Sequence, residues 1–499
     1  MMRSLFSGVS GLKNHQTRMD VIGNNISNVN TTGFKSSRVT FVDTLSQTLT
    51  GASSPKGTVG GTNPKQIGLG SGVGSIDLMF TDGSVQSTGK NTDLCLSGNG
   101  LFIVKQGNET FYTRDGAFEF DADGNYVLPG SGMFVQGWTA TDGVLNTTSA
   151  PGNIQVAAGK SMAAKATMGI NFANNLNYSE LTIASAMDSS NPPVAATGLF
   201  YPTTANPYTL TMSDGTTQVV TSGSYVAGHS MPLTTVTTFY DSLGGEHSLV
   251  LLFEKAATGT VTDSNGNVKN ATAWTMRLNT DSTGSASFTE DDGTIVNIAM
   301  TTATFVFDET GAYFSDAGAT YNITDPAGVA TMPPTVNPAN LTYTINSVAA
   351  GVAQGQINID LTTLTQYTGS NTINGDADGN AAGTLKSISI DSSGVITGTY
   401  TNGIRQAEGQ VAIAQFTNAS GLTKTGNSLY QESNNSGVAN IKTATDLGVT
   451  ITPSALEMSN VDVANEFSDM IITQRGFQSN SKIVTVSDEM LETVINMKR

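Results

Sequence analysis

Three histidines and one cysteine are the only residues of those types in the chain: His15, His229, His247 and Cys95. A zinc site needs such ligands in closely spaced pairs, and a zinc protease needs H-E-x-x-H. Neither pattern occurs, and neither does the G-x-S-x-G of a nucleophile elbow. The histidines therefore read as packed or solvated side chains. One cysteine forms no intramolecular disulfide. Cys95 lies in the alternating stretch DLCLSGNGLFIV, where a small buried residue is expected. Acidic turns are the remaining candidates. Asn374, Asp376 and Asp378 with Gly379, and Glu119, Asp121 and Asp123 with Gly124, both begin like a calcium loop. Such a loop closes on a bidentate Glu at its twelfth position, where this chain has Leu385 and Gly130. Both read as β-turns. No pair of carboxylates stands out for acid–base hydrolysis. The glycines at 68, 70, 72 and 74 alternate without dinucleotide or Walker spacing. The expectation is no catalytic, cofactor-binding or metal-binding residue, no cofactor, and no enzyme.

The elements that would carry any site point elsewhere. The 499 residues include 40 acidic and 23 basic ones, a balance of −17, which offers no footprint for nucleic acid or an anionic membrane. The longest apolar run, around Leu249 to Phe253, is strand-sized, far below the ~20 residues of a membrane span. The first twenty residues lack the continuous apolar core of a secretory signal, so an extracellular location would require another route.

Two stretches carry helical period. Residues 454–499 contain no proline and one glycine, with apolar residues at Val463, Phe467, Met470, Phe477, Val484, Leu491 and Ile495. Those steps describe an amphipathic helix with a narrow seam, roughly 60 Å long at 1.5 Å per residue. Ser459-Asn460 ahead of Asp462 mark its start, and Lys498 and Arg499 suit its end. Residues 3–29 repeat the pattern with Leu5, Val9, Leu12, Met19, Ile22, Ile26 and Val29. Gly8, Gly11 and Gly23 interrupt it, each costing roughly 1 kcal/mol in a helix interior. This segment is expected to be weakly helical alone, to order on packing, and to let a neighbouring helix approach closely. Being shorter, it leaves a surplus of the closing helix, roughly from Lys482 onward, for other chains to bury.

Between the ends the chain reads as β. Residues 34–75 are rich in Gly, Ser and Pro and suggest an extended connecting segment. Residues 76–160 show period-2 strands, with turn signals at Asp82-Gly83, Asp115-Gly116, Asp123-Gly124 and Asp142-Gly143. The same style returns in 357–445 around the Asn402-Gly403 turn. Residues 161–356 are an inserted β region of one or two domains, with turns at 241–244 and 308–311. The fold expected is mainly β with long terminal α-helices, in a nested multi-domain layout. The ends (1–33 and 454–499) pair, the middle β segments pair, and the insertion lies outermost.

DVIGNNISNVNTTGFKSSRVTF, residues 20–41, resembles the N-terminal signature of the bacterial flagellar rod and hook proteins, the axial family of that organelle. Residues 454–499 resemble its C-terminal signature. The residues carrying the likeness are Asn24, Asn25, Asn28, Asn30, Thr32, Gly33 and Phe34, then Leu456, Ser459, Asn460, Val461, Asp462, Gln474 and Arg475. YDSLG, YTNG and Arg475-Gly476-Phe477-Gln478 are similar to the hook branch rather than the rod branch.

The resemblance implies a coiled-coil inner domain lining a channel, β-rich middle and outer domains, and contacts from 34–75 to neighbouring subunits. It implies self-assembly into the flexible tubular hook that transmits motor torque to the filament. Implied partners are further copies of the chain, the hook cap, distal rod and hook–filament junction proteins, and the type III export apparatus. The seam residues named above would form the self-assembly interface, ordering fully only in the polymer. Some spirochaete relatives link hook subunits through Lys and Cys; Lys165 lies in a comparable segment but no Cys follows nearby, so no such link is expected. The alternatives are a distal rod protein, or an extracellular β-rich adhesin or glycan-active protein, which a pocket of convergent acids or stacked aromatics would favour.

Overall fold

A computed structural model describes residues 2–57, 60–190, 193–279, 285–289, 295–300, 302–316, 319–323, 340–346 and 355–497. The chain divides into two units, 1–160 with 385–499, and 161–384. Lys498 and Arg499 lie outside the described residues.

The first unit contains both long helices, α1 (Met2–Ser27) and α2 (Val463–Asn496). The closing helix is shorter at its start than the sequence suggests. Ala455–Glu457 is a strand paired to Val85–Ser87, and Thr450–Pro453 pairs with Leu94–Ser97. Asp462, rather than Ser459 or Asn460, is the N-cap: its Oδ1 accepts from the Ala464 and Asn465 amides at 2.9 and 3.3 Å. At 1.5 Å per residue α2 is about 50 Å long.

Residues 34–75 are not a loose linker. Strands β1 (Ser37–Asp43) and β4 (Ser71–Leu78) pair antiparallel, as do β2 (Ser46–Thr50) and β3 (Lys65–Gly68) between them. The alternating glycines sit in this ribbon, and a Cβ on Gly74 would lie 2.8 Å from Val42 Cγ1. The body of the unit is one sheet in which Met133–Thr139 pairs with Arg405–Val411 on one side and Leu101–Gln106 on the other. The strand Leu101–Gln106 is buried on both faces. Phe102 and Val104 join the core of Leu96, Phe118, Val135, Val411 and Ile451, while Leu101 and Ile103 join that of Tyr112, Trp138, Ala414 and Tyr430. That explains its unbroken apolar run.

Of the four Asp-Gly signals, two are hairpin turns. Asp142 and Gly143 have φ of 50° and 80° in a two-residue turn closed by Thr141 and Val144. Gly124, with φ 81°, ends a turn whose Asp121 carboxylate accepts from the Asp123 and Asn125 amides. Asp82-Gly83 and Asp115-Gly116 are tertiary contacts instead. The Gly83 amide donates to Glu457 Oε1 at 2.9 Å, and a Cβ on Gly116 would lie 1.8 Å from the Leu94 carbonyl oxygen.

The second unit places Leu233–Tyr240, Glu246–Thr262, Val268–Leu278 and Ala303–Asp308 in one antiparallel sheet. Gly169–Asn177 and Gly355–Tyr367, paired in parallel, belong to another. Phe172, Phe239, Phe253, Trp274, Phe305 and Ile359 share one core. Ile183, Phe200, Leu210 and Val220 form a separate small core. The expected turns at 241–244 and 308–311 are present, with Gly244 and Gly311 at φ 87° and 78°.

Candidate assembly surface on the terminal helices

The two helices run antiparallel. Ser4 Oγ faces Ser487 Oγ at 3.5 Å, Gly8 faces Val484, Gly11 faces Asn480, and His15 faces Gly476. Further on, Arg18 Nη2 meets Asp469 Oδ2 at 2.9 Å, and Asn25 Nδ2 donates to Glu466 Oε1 at 2.9 Å. On α1 these residues step by four and three, a coiled-coil seam. They sit one position ahead of most of the apolar set. The face of α1 turned to α2 is thus small and polar: Ser4, Gly8, Gly11, His15, Arg18, Asn25. Of the apolar residues expected to pair, Ile22 is buried, Leu5, Leu12, Met19, Ile26 and Val29 are half-buried, and Val9 is exposed.

On α2 the same 4–3 steps run Glu466, Met470, Thr473, Phe477, Asn480, Val484, Ser487 and Leu491. Apolar and polar layers alternate. Only Thr473 and Ser487 are fully buried. Val463, Met470, Val484 and Leu491 are half-buried, whereas Phe467, Phe477 and Ile495 are exposed. Beside this seam lies a second apolar set that the sequence reading passed over: Ile472, Ile483, Val486, Met490, Val494 and Met497, all exposed. Its signal was present, since 483, 490 and 497 are seven apart. Because α1 begins at Met2, opposite the region of Ser487, the part of α2 without an α1 residue opposite begins near Met490, not Lys482.

The ribbon packs on α1. Asn14 Nδ2 donates to Ser71 Oγ at 2.8 Å. Buried Asn25 closes a reciprocal pair with Ser37, donating to its carbonyl at 2.9 Å and accepting from its amide at 3.0 Å. The signature residues gather mostly at this junction. Asn28 Nδ2 donates to the Asn24 carbonyl at 2.8 Å. The Thr32 carbonyl accepts from Ser428 Oγ at 3.2 Å. Gly33 has φ 64°, and Phe34 lies 3.9 Å beneath the Lys424 ammonium. Leu456 is half-buried in its strand, Ser459 Oγ accepts from the Val461 amide at 3.3 Å, and Asn460 Oδ1 accepts from the Ser36 amide at 2.8 Å. Asn30, Gln474 and Arg475 are exposed and are not drawn into it.

At the centre of the junction is an ionic cluster that sequence reasoning missed. Glu457, buried, accepts from Lys35 Nζ at 2.6 Å and from Arg114 Nη1 at 3.1 Å, both cations being buried as well. Lys35 Nζ also donates to the Thr81 carbonyl at 2.7 Å. Burial pulls the Lys35 ammonium below its ordinary range, against the pull of Glu457. Cys95, fully buried, has its thiol pushed up to about 11, chiefly by burial. Nothing in local pattern marks Lys35, Arg114 or Glu457, since the three lie far apart in sequence.

The side chains that first suggested chemistry hold the fold. His229 Nδ1 lies 3.2 Å from Glu254 Oε2, and His247 Nε2 lies 3.2 Å from Asp241 Oδ2, all four residues buried. Asp378 accepts from the Met168 and Gly169 amides at 2.8 and 2.9 Å and from Lys165 Nζ at 3.2 Å. Among the described residues no group of three or more His, Cys, Asp or Glu side chains is placed to hold a metal ion, and no helix is long and apolar enough to cross a membrane. A cavity of about 670 Å³ in the second unit is lined by Tyr178, Tyr367, Asp308 and Glu309. Asp308 there is committed to its own turn, accepting from the Thr310 amide at 2.9 Å.

Four family descriptions match in chain order: flagella basal body rod protein over residues 5–35, flagellar hook protein FlgE/F/G D1 domain over 95–186, flagellar basal body protein FlaE D2 domain over 229–380, and flagellar basal body rod FlgEFG protein C-terminal over 452–497. The flagellar hook protein FlgE of Treponema pallidum is 38% identical, with 100% of each chain covered. That of Borreliella burgdorferi is also 38% identical over 100% of each. The flagellar basal-body rod protein FlgG of Bacillus subtilis is 27% identical over 100% of each.

Proposed function

This chain belongs to the flagellar hook protein family, and from that premise we propose that it is the structural subunit of a self-assembling, flexible hook joining motor to filament. It does so by burial, without catalysing a reaction. One observation supports this most: α1 meets α2 through a largely small and polar face, and an apolar strip on the helices stays outside the pair. Ile495 is 65% exposed, Met497 86% and Phe6 66%. At roughly 25 cal/mol per Å² of apolar surface removed from water, covering that strip with neighbouring helices favours association. A contact between unlike faces whose rotation does not close into a ring repeats into a helical tube.

The self-assembly interface on this reading comprises the seam residues of α1 and α2 together with the second apolar set. On this reading residues 1–33 and 454–499 form the inner, channel-lining layer, 34–75 contacts neighbours, 76–160 with 385–445 forms the middle domain, and 161–384 the outer region, since 357–384 goes with the insertion through the pairing of Gly355–Tyr367 with Gly169–Asn177. Further partners are the hook cap, distal rod and junction proteins, reached after export by the flagellar apparatus. Removing residues 1–30 tests the reading: tubes in the electron microscope are expected from the full chain and not from the truncation, and normal tubes from both would refute it. In the verified monomer, amides of 3–29 and 459–497 are expected to exchange fast, and strong protection there would refute ordering on assembly.

A distal rod subunit is the second reading, favoured by the full-length likeness to FlgG. Straight, rigid polymers in place of curved, flexible ones would support it.

A further inference from the structure

We propose that two reciprocal contacts, His15 seated over Gly476 and Asn480 seated over Gly11, form a key that sets the register of α1 against α2. Through that register the key sets which end of α2 is offered to a second copy. This rests on the assembly reading above and adds to it the residues that position the docking strip.

A Cβ on Gly476 would lie 2.6 Å from His15 Cε1, and one on Gly11 would lie 2.7 Å from Asn480 Nδ2. Real Cβ atoms do not approach so closely, so each glycine is a hole filled by a side chain of the other helix. The apolar layers cannot set the register by themselves. Met470, Phe477, Val484 and Leu491 recur every seven residues, so a slide by one heptad lays each layer on an equivalent one. Gly476 breaks that degeneracy, being the single glycine of α2. Seven residues either way from it stand Asp469 and Ile483, and neither leaves room for the His15 ring. A slide of one heptad would move the end of α2 by about 10 Å and change the surface beyond α1 accordingly.

The test uses the full chain carrying Ser4→Cys with Ser487→Cys to report the observed register, and Ser4→Cys with Val494→Cys to report a one-heptad slip. Cys95, buried and with its thiol raised to about 11, stays out of the exchange. Gly476→Leu fills the hole while raising helix propensity, so a loss of pairing is not a loss of helix. Disulfide yield at the observed-register pair is expected to fall about tenfold, the scale of an overpacked contact. His15→Ala in the same chain is expected to restore it, because the ring that clashed is gone. Unchanged yield in Gly476→Leu, or loss that His15→Ala does not restore, would overturn the key. A parent chain that forms the Ser4–Ser487 link yet never polymerises would instead refute the assembly reading and leave the register intact.

Discussion

The ring of His15 lies 2.6 Å from where a side chain on Gly476 would begin, with Phe41 of β1 edge-on at 6.1 Å on another side. Burial first, and Arg18 second, hold its imidazole below the ordinary 6.5. The unfolded chain therefore binds more protons than the folded one between the folded pKa and 6.5, and stability rises with pH across that window. Pairing of α1 with α2 is expected to be weakest below the folded value and constant above 6.5. Amide protection of 3–29 in the assembled polymer against pH measures this, and His15→Gln should abolish the slope. Glu466, its carboxyl raised above the ordinary 4.5 mainly by burial, contributes with the opposite sign, stability falling as pH rises through its window.

Glu457 pairs with two buried cations. Glu457→Gln leaves Lys35 and Arg114 without their carboxylate, a loss expected to cost about 3–5 kcal/mol. The denaturant midpoint of the first unit should fall, with the second unit unaffected. A small change would mean that water or Asp82, 3.4 Å from Arg114, takes over.

Gly33 combines φ 64° with a backbone so close that a Cβ would lie 2.4 Å from the Asp115 amide nitrogen. Gly33→Ala is expected to destabilise the first unit by roughly 1–3 kcal/mol. Gly23, with nothing within 4 Å, is the control. There Ala should stabilise α1 by up to about 1 kcal/mol, both changes being read as shifts in thermal midpoint.

The second apolar set makes the opposite prediction. Met490→Asp and Val494→Asp change exposed residues of α2 and should leave monomer stability within about 0.5 kcal/mol. Polymer yield by sedimentation should nevertheless collapse. Normal tubes from both variants would place the interface elsewhere.

Local pattern is strong where a segment organises itself. Period three-to-four marked both helices despite their glycines, and Asp142-Gly143 announced its turn because a two-residue hairpin depends only on its own dihedrals. That the closing helix outruns its partner was legible too, because an apolar stripe longer than the one it pairs with is visible in one dimension. The same signals failed where a distant segment competes. Asp82-Gly83 and Asp115-Gly116 carry turn composition, but Glu457 from the far end of the chain claims the first and the strand beginning at Leu94 claims the second. The start of the closing segment reads as helix, yet 455–457 has an edge strand to pair with.

Composition and periodicity carry the class: an acidic, β-rich chain with amphipathic ends. The tertiary structure decided which face of each helix meets which. Periodicity records that a face is apolar but not whether it turns toward its own chain or away from it. Only the antiparallel pairing, with Gly8, Gly11 and Gly476 as close contacts, turned the small polar face of α1 inward and left Met490 and Met497 of α2 outside. It likewise brought Lys35, Arg114 and Glu457 to one point, since a buried ion pair depends on distance in space and leaves no periodic trace along the chain.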